Sequence, residues 1–123
     1  MSESCVMRWV ENCLVVELSG EVDHHMAAAL RKVLDREIRE KAEERTPIYL
    51  IFDFSAVTFM GSSGIGVVMG RYNTIRLTGG RVYITGCDSY VERILEMAGV
   101  FLITDRRTSS EKALAECLGK AEL

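Results

Sequence analysis

Proline is almost missing from this chain: Pro47 is the only one, so no proline-rich linker divides it and ring geometry interrupts regular structure at a single point. No apolar run approaches the ~20 residues that span a bilayer. The beginning of the chain also lacks the charged start, apolar stretch and small-residue cleavage site of a secretory signal. A cytoplasmic protein with no membrane partner is therefore expected. Positive charge is not in excess, since 15 Lys and Arg stand against 18 Asp and Glu. With the two signs mixed along the chain there is no basic stripe to neutralise a row of phosphates, and no direct nucleic-acid partner is expected. Histidine is scarce, only His24 and His25. Cys5, Cys13, Cys87 and Cys117 form no CxxC pair and have no histidine at metal-ligand spacing. They read as reduced, mostly buried small hydrophobes rather than as a disulfide frame or a zinc site.

What is present fits one ordinary soluble domain over residues 1–123, 48% hydrophobic and 27% charged, enough chain to bury one core without splitting. Cys13 to Ser19 is a strand pattern, preceded by a short strand at Val6 to Val10 with Glu11-Asn12 as the turn. From Asp23 the period changes. Ala27, Leu30, Val33, Leu34 and Ile38 recur at helical spacing, with Arg31, Lys32, Asp35, Arg36, Arg39 and Glu40 on the other face. The charges through Glu44 are the solvated side of that helix and the loop beyond it. Ile48 to Phe54 is a nearly continuous apolar run, as expected of a strand buried on both faces. A second helix follows from Ser62 to Leu77, stopped by Gly79-Gly80 before a strand at Arg81 to Thr85. Asp88 caps a third helix with apolar positions Val91, Ile94, Leu95 and Ala98, ended by Gly99. Phe101 to Thr104 reads as a short strand. Thr108-Ser109-Ser110-Glu111 has the capping-box form before a last helix striped by Ala113, Leu114, Cys117 and Leu118. The class is α/β: a mixed sheet of about five strands, opening with an antiparallel hairpin and continuing in parallel, with right-handed crossovers and about four helices.

One segment departs from plain folding logic. Gly64, Gly66 and Gly70 lie inside the helix defined by Ile65, Val68, Met69, Tyr72 and Ile75, and each costs about 1 kcal/mol relative to alanine. At ~100° per residue, Ser62, Gly66, Gly70 and Asn73 share one face, a strip almost free of side chains that admits close approach of another molecule. The competing explanation is that the glycines let the helix lie tightly on the rest of the fold. Ser62-Ser63 opens this helix, where free N–H groups and the positive end of the dipole face outward. A phosphate on Ser62 is electrostatically welcome there, yet it brings enough charge and bulk to abolish a close-packed contact without unfolding the domain. Simple capping is the alternative role for both serines.

Enzyme readings fail on the same residues. Neither serine has the two flanking glycines of the G-x-S-x-G elbow. Gly64-x-Gly66 begins a dinucleotide fingerprint, but Met69 stands at its third glycine, and no GK[ST] supplies a phosphate loop. Asp88 lies where a ribose-binding acid would be sought, and helix capping explains it more simply. Asp23-His24-His25 offers metal-ligand or acid–base chemistry by residue type. Neighbours at a helix start diverge, however, and no further histidine is present, so Asp23 is better read as a cap with the histidines on a surface.

Three segments together carry a resemblance: Ser19-Gly20-Glu21-Val22-Asp23-His24-His25, Asp53-Phe54-Ser55-x-Val57-x-Phe59-Met60, and Ser62-Ser63-Gly64-Ile65-Gly66 with Gly70-Arg71-Tyr72. They resemble the STAS family of anti-anti-sigma factors, and Gly20-Glu21-Val22-Asp23-His24-His25 favours its sporulation branch over the general-stress branch. The resemblance extends to Gly79-Gly80 and Met97-Ala98-Gly99-Val100-Phe101. It implies a sheet with helices mainly on one side and a monomeric binding protein that is not an enzyme and needs no cofactor or metal. The implied partners are an anti-sigma factor that is also an ATP-dependent serine kinase, and a PP2C-type phosphatase. Ser62 is the implied phosphorylation site. The implied partner contacts are Glu21, Asp23, His25, Met60 and Gly61, then Ser63, Gly64, Gly66 and Arg71. Gly61 stands where the family usually has an aspartate, a change that bears on phosphorylation more than on binding. A general-stress regulator, or a small nucleotide-binding enzyme, are the alternatives.

Overall fold

β-branched and aromatic residues concentrate in the segments that form the first four strands of the sheet, two of them ahead of the first helix. The computed structural model describes residues 4–121. Strands β1 (Cys5–Val10), β2 (Cys13–Val22), β3 (Tyr49–Met60), β4 (Val82–Thr85) and β5 (Asp105–Arg107) lie side by side in chain order. The first pair is antiparallel and the others are parallel. Because the strand order never reverses, right-handed crossovers must all pass over the same face. Helices α1 (His24–Lys41), α2 (Ser62–Leu77) and α3 (Ser89–Met97) accordingly cover one side. Helix α4 (Ser110–Ala121) follows the edge strand and folds back onto the other.

The two-residue period of a strand divides the core between these faces. Leu14, Val16 and Leu18 of β2 join Leu50, Phe52 and Phe54 of β3 beneath α1, α2 and α3. Cys13, Val15, Tyr49, Ile51 and Tyr83 point the other way, against Ala113 and Cys117 of α4. Four of the five apolar positions predicted for α1, namely Ala27, Leu30, Leu34 and Ile38, are buried. Asp23 caps that helix by accepting from the Met26 N–H at 3.0 Å. Trp9 ties β1 to its far end, donating to Glu37 at 2.9 Å with Lys41 stacked 5.0 Å above the ring. Among the described residues no helix is long and apolar enough to cross a membrane.

Strand β3 runs past the predicted Phe54 to Met60. It carries two more residues than β2 opposite it, absorbed as register shifts between Glu17 and Ser19 and between Gly20 and Glu21. Such bulges replace strict alternation with burial at every third residue, Phe54, Val57 and Met60. The two strands thus finish together, Val22 opposite Met60, with α1 and α2 starting beside each other.

Two readings at the C-terminal end are corrected. Phe101 to Thr104 is not a strand: Gly99 turns left-handed at φ +78, and Val100–Leu102 form a tight 3₁₀ turn closed by the Thr104 hydroxyl donating to the Val100 carbonyl at 2.9 Å. The strand is the charged Asp105–Arg107. An edge strand of charged residues resists pairing with other chains, which is why apolarity did not mark it. Thr108 is not the cap of α4 either. Ser109 is, accepting from the Lys112 N–H at 3.2 Å, which removes Glu111 from the position a capping box requires.

The turn into β4 depends on Gly80. A Cβ there would lie 1.6 Å from the Ile48 carbonyl oxygen, and the Thr78 hydroxyl fixes the same turn by accepting from the Ile48 N–H at 3.0 Å. Gly80→Ala is expected to destabilise the domain by about 3 kcal/mol or more, read as a lower urea midpoint. A change within ~0.5 kcal/mol would contradict so close an approach.

Candidate functional site

The ends of β2 and β3 build the site. The Gly61 N–H donates to the Val22 carbonyl at 3.1 Å, and the Gly61 carbonyl accepts from Gly64 and Ile65 as α2 begins. Gly61 is the N-cap, in extended conformation, with no side-chain cap and no acidic residue in the first turn of the helix. The positive end of the dipole is therefore uncompensated by any carboxylate on α2. Ser62 is exposed and its hydroxyl has no partner among the described residues, whereas Ser63 is half-buried. Ser63 Oγ lies 3.4 Å from Nδ1 of His24 at the start of α1.

The glycines of α2 divide into two kinds. A Cβ on Gly64 would strike Met60 Sδ at 2.6 Å and Val22 Cγ1 at 2.7 Å. That glycine answers to packing, as the structural explanation holds. On Gly66 or Gly70 a Cβ would meet nothing within 4 Å. The fold does not require those two, and both lie on the face of Ser62. The strip is therefore open to solvent.

The predicted contact residues separate in the same way. Glu21 and His25 are exposed, and Ser62 and Gly66 lie on the strip. Asp23 has its carboxylate committed as the α1 cap. Met60, Gly64 and Arg71 are interior, and Met60 and Gly64 seat α2 on β2 and β3. Arg71 is 9% exposed. Its Nε stands 3.2 Å from Asp35 Oδ1 of α1, yet neither Nε nor Nη1 has an aligned hydrogen bond. Burial lowers the pKa of this guanidinium, Asp35 holds it up, and Arg31 opposes it. The pair clamps α1 to α2.

Sequence reasoning missed three members of this region. Phe59 is 41% exposed, a large aromatic whose ring would lie 3.3 Å from a Cβ on Gly61. Only the bulge before it turns it outward, and no local signal marks that. Asp35 looked like one of many charges on a solvated helix face. For His24 the local expectation is only that adjacent histidines diverge. They do, with rings 5.9 Å apart and edge to face, and the divergence is what aims His24 at α2.

A separate cleft of about 600 Å³ is lined by Gly86, Cys87, Glu92, Arg106, Arg107, Thr108 and Lys112. Its arginines are engaged, Arg106 with Glu92 and Arg107 with Glu116. Burial, and then the charges of Glu92 and Asp88, push the Cys87 thiol up to about 12, which makes it a poor nucleophile. Cys5, Cys13 and Cys117 are buried and in no disulfide, and no three His, Cys, Asp or Glu side chains cluster as a metal site among the described residues.

Comparison with known proteins fits this geometry. Residues 5–113 match the model of the STAS domain. The chain is 35% identical over 103 residues to an anti-sigma F factor antagonist of Paenibacillus polymyxa, covering 84% of this chain and 85% of that protein. It is 27% identical over 101 residues to an anti-sigma-B factor antagonist of Bacillus subtilis (strain 168), covering 82% and 87%. The solved structure of the anti-sigma factor antagonist SpoIIAA in its unphosphorylated form superposes with a TM-score of 0.81 at 25% identity, covering 94% of this chain and 96% of that one.

Two expectations follow from the geometry. Asp35→Ala strands a buried guanidinium and should lower stability by about 1 kcal/mol, while Arg71→Met should cost less because the charge it leaves behind, the Asp35 carboxylate, is partly exposed to water. Chemical denaturation of both variants checks the order, and the reverse order would contradict the clamp. At pH 8 Cys87 should react with iodoacetamide at least ~100-fold more slowly than a cysteine in an unstructured peptide, because so little thiolate is present. Peptide mapping of a timed alkylation reads this out.

Proposed function

The chain belongs to the STAS domain family, and on that footing we propose that it is an anti-sigma factor antagonist whose α2 face binds its partner and is switched by phosphorylation of Ser62. The observation that carries this reading is the open pair Gly66 and Gly70. Each glycine costs the helix about 1 kcal/mol, nothing inside the molecule requires either, and they continue the face that Ser62 begins. A partner backbone approaching closely gives them a reason.

In this reading the unmodified chain, a single unit working as a monomer in the cytoplasm, binds an anti-sigma factor that is also an ATP-dependent serine kinase. The sigma factor is thereby released. ATP and the transfer step belong to the kinase, so the antagonist acts by binding and needs no cofactor. Glu21, His25, Gly61, Ser63 and Gly66 make up the contact around Ser62. Asp23, Met60, Gly64 and Arg71 hold the elements that present it. Phosphate on Ser62 adds close to two negative charges to a surface with no acid in the first turn of α2. The helix dipole tolerates that charge, contributing about 0.3–1 kcal/mol in its favour, so the domain stays folded while the close contact is lost. A PP2C-type phosphatase restores the binding form. The stronger similarity to an anti-sigma F antagonist favours sporulation, and the anti-sigma-B relative supports general-stress signalling as the second reading.

Ser62→Asp should weaken binding to an anti-sigma F kinase by ten-fold or more, on the order of 1.4 kcal/mol. Ser62→Ala should bind as the unmodified chain does and accept no phosphate from ATP. Calorimetric titration and intact-mass measurement test both. Undiminished binding by Ser62→Asp, together with phosphate found elsewhere, would remove the switch from Ser62.

A further inference from the structure

Two adjacent serines open α2, and the structure treats them differently. Ser62 is exposed with its hydroxyl unpartnered, while Ser63 is half-buried with Oγ 3.4 Å from His24 Nδ1. We propose that His24 is a positioning residue that selects Ser62 over Ser63 as the phosphoacceptor, by holding the Ser63 hydroxyl toward α1 and away from the open face. The inference rests on the reading of Ser62 as the switch and names what makes that site single.

The His24 ring is exposed, and the backbone that carries it is fixed against the start of α2. Asp23 fixes the first turn of α1 through the Met26 N–H at 3.0 Å. The backbone bond from Gly61 to the Val22 carbonyl at 3.1 Å brings the start of α2 against it. His25, edge-on at 5.9 Å, flanks the ring on its own side. Whichever imidazole tautomer is present, one of Nδ1 and Oγ can donate and the other accept. Either arrangement restrains the Ser63 side chain, whose lone pair must otherwise turn outward to attack a phosphoryl group.

Gly61 makes such restraint necessary. A carboxylate at that N-cap would be placed to accept from the N–H groups of the first turn and to orient one hydroxyl, but Gly61 contributes no side-chain cap. Discrimination between two neighbouring hydroxyls on a short exposed turn then falls to groups outside the helix. Among the described residues, His24 is the only side chain of another element that hydrogen-bonds either serine.

The test is the distribution of phosphate between the two serines. Full-length wild type, His24→Ala and His24→Asn are incubated with an anti-sigma F serine kinase and MgATP, and the product is mapped by fragment mass spectrometry. Phosphate is expected mainly on Ser62 in wild type, with a small measurable share on Ser63. His24→Ala should raise the Ser63 share at least ~3-fold above the wild-type level, within the range that a lost exposed hydrogen bond allows. His24→Asn should restore the wild-type distribution, because an asparagine amide places a polar atom where Nδ1 stands. A loosened helix end would not be rescued in this way. A Ser63 share unchanged in His24→Ala overturns the role of His24 and leaves the switch standing. A Ser63 share that falls in that variant also overturns it, since the imidazole would then be activating Ser63. Wild type with no phosphate on Ser62 overturns the switch and this inference together.

Discussion

One backbone hydrogen bond organises the functional end of this molecule: the Gly61 N–H donating to the Val22 carbonyl at 3.1 Å. It closes β2 against β3 where both strands end, so α1 and α2 must leave the sheet side by side. The extra residues in β3 have to be taken up before that point, and the two register shifts do so. Gly64 then lets the first turn of α2 sit on Val22 and Met60, where any Cβ would meet them at under 3 Å. With that turn fixed inward at Gly64, Ser62 can only face outward.

Electrostatics build on this seam. The first turns of α1 and α2 both lack acidic residues, and the nearest cap carboxylate, Asp23, is already committed to a backbone N–H. The first turn of α2 itself thus carries no charge apart from its dipole, and a charge added there changes its character more than it would on a surface already crowded with charges. Farther along, the Asp35–Arg71 pair holds the two helices in register. A buried arginine without aligned hydrogen bonds is a weak source of stability and a strong source of geometry.

The architecture was largely legible in the sequence because periodicity and caps state it locally. Ala27, Leu30, Leu34 and Ile38 announce α1, Asp23 and Asp88 announce two helix starts, and Gly79-Gly80 announces a stop. The misreadings arise where a local rule met a non-local demand. Phe101 to Thr104 is apolar because Phe101 packs on the core beneath Arg106, and the run turns because Gly99 is left-handed. The edge strand is charged and so carries no apolar mark. For the site, the strip of Ser62, Gly66 and Gly70 could be read from helical spacing, but whether the glycines were packing or surface could not. That distinction depends on which atoms stand opposite each Cα, and it divides Gly64 from Gly66. The burial of Arg71 and the contact of His24 with Ser63 join residues 36 and 39 positions apart, beyond any local pattern.

The most direct measurement is an amide chemical-shift map of the unphosphorylated chain titrated with an anti-sigma F kinase. Perturbations are expected to centre on Glu21, His25, Ser62, Ser63, Gly66 and Gly70, and to vanish from that face once Ser62 carries phosphate. Perturbations centred instead on the cleft of Gly86, Arg106 and Lys112, and indifferent to phosphate on Ser62, would contradict a partner surface on α2.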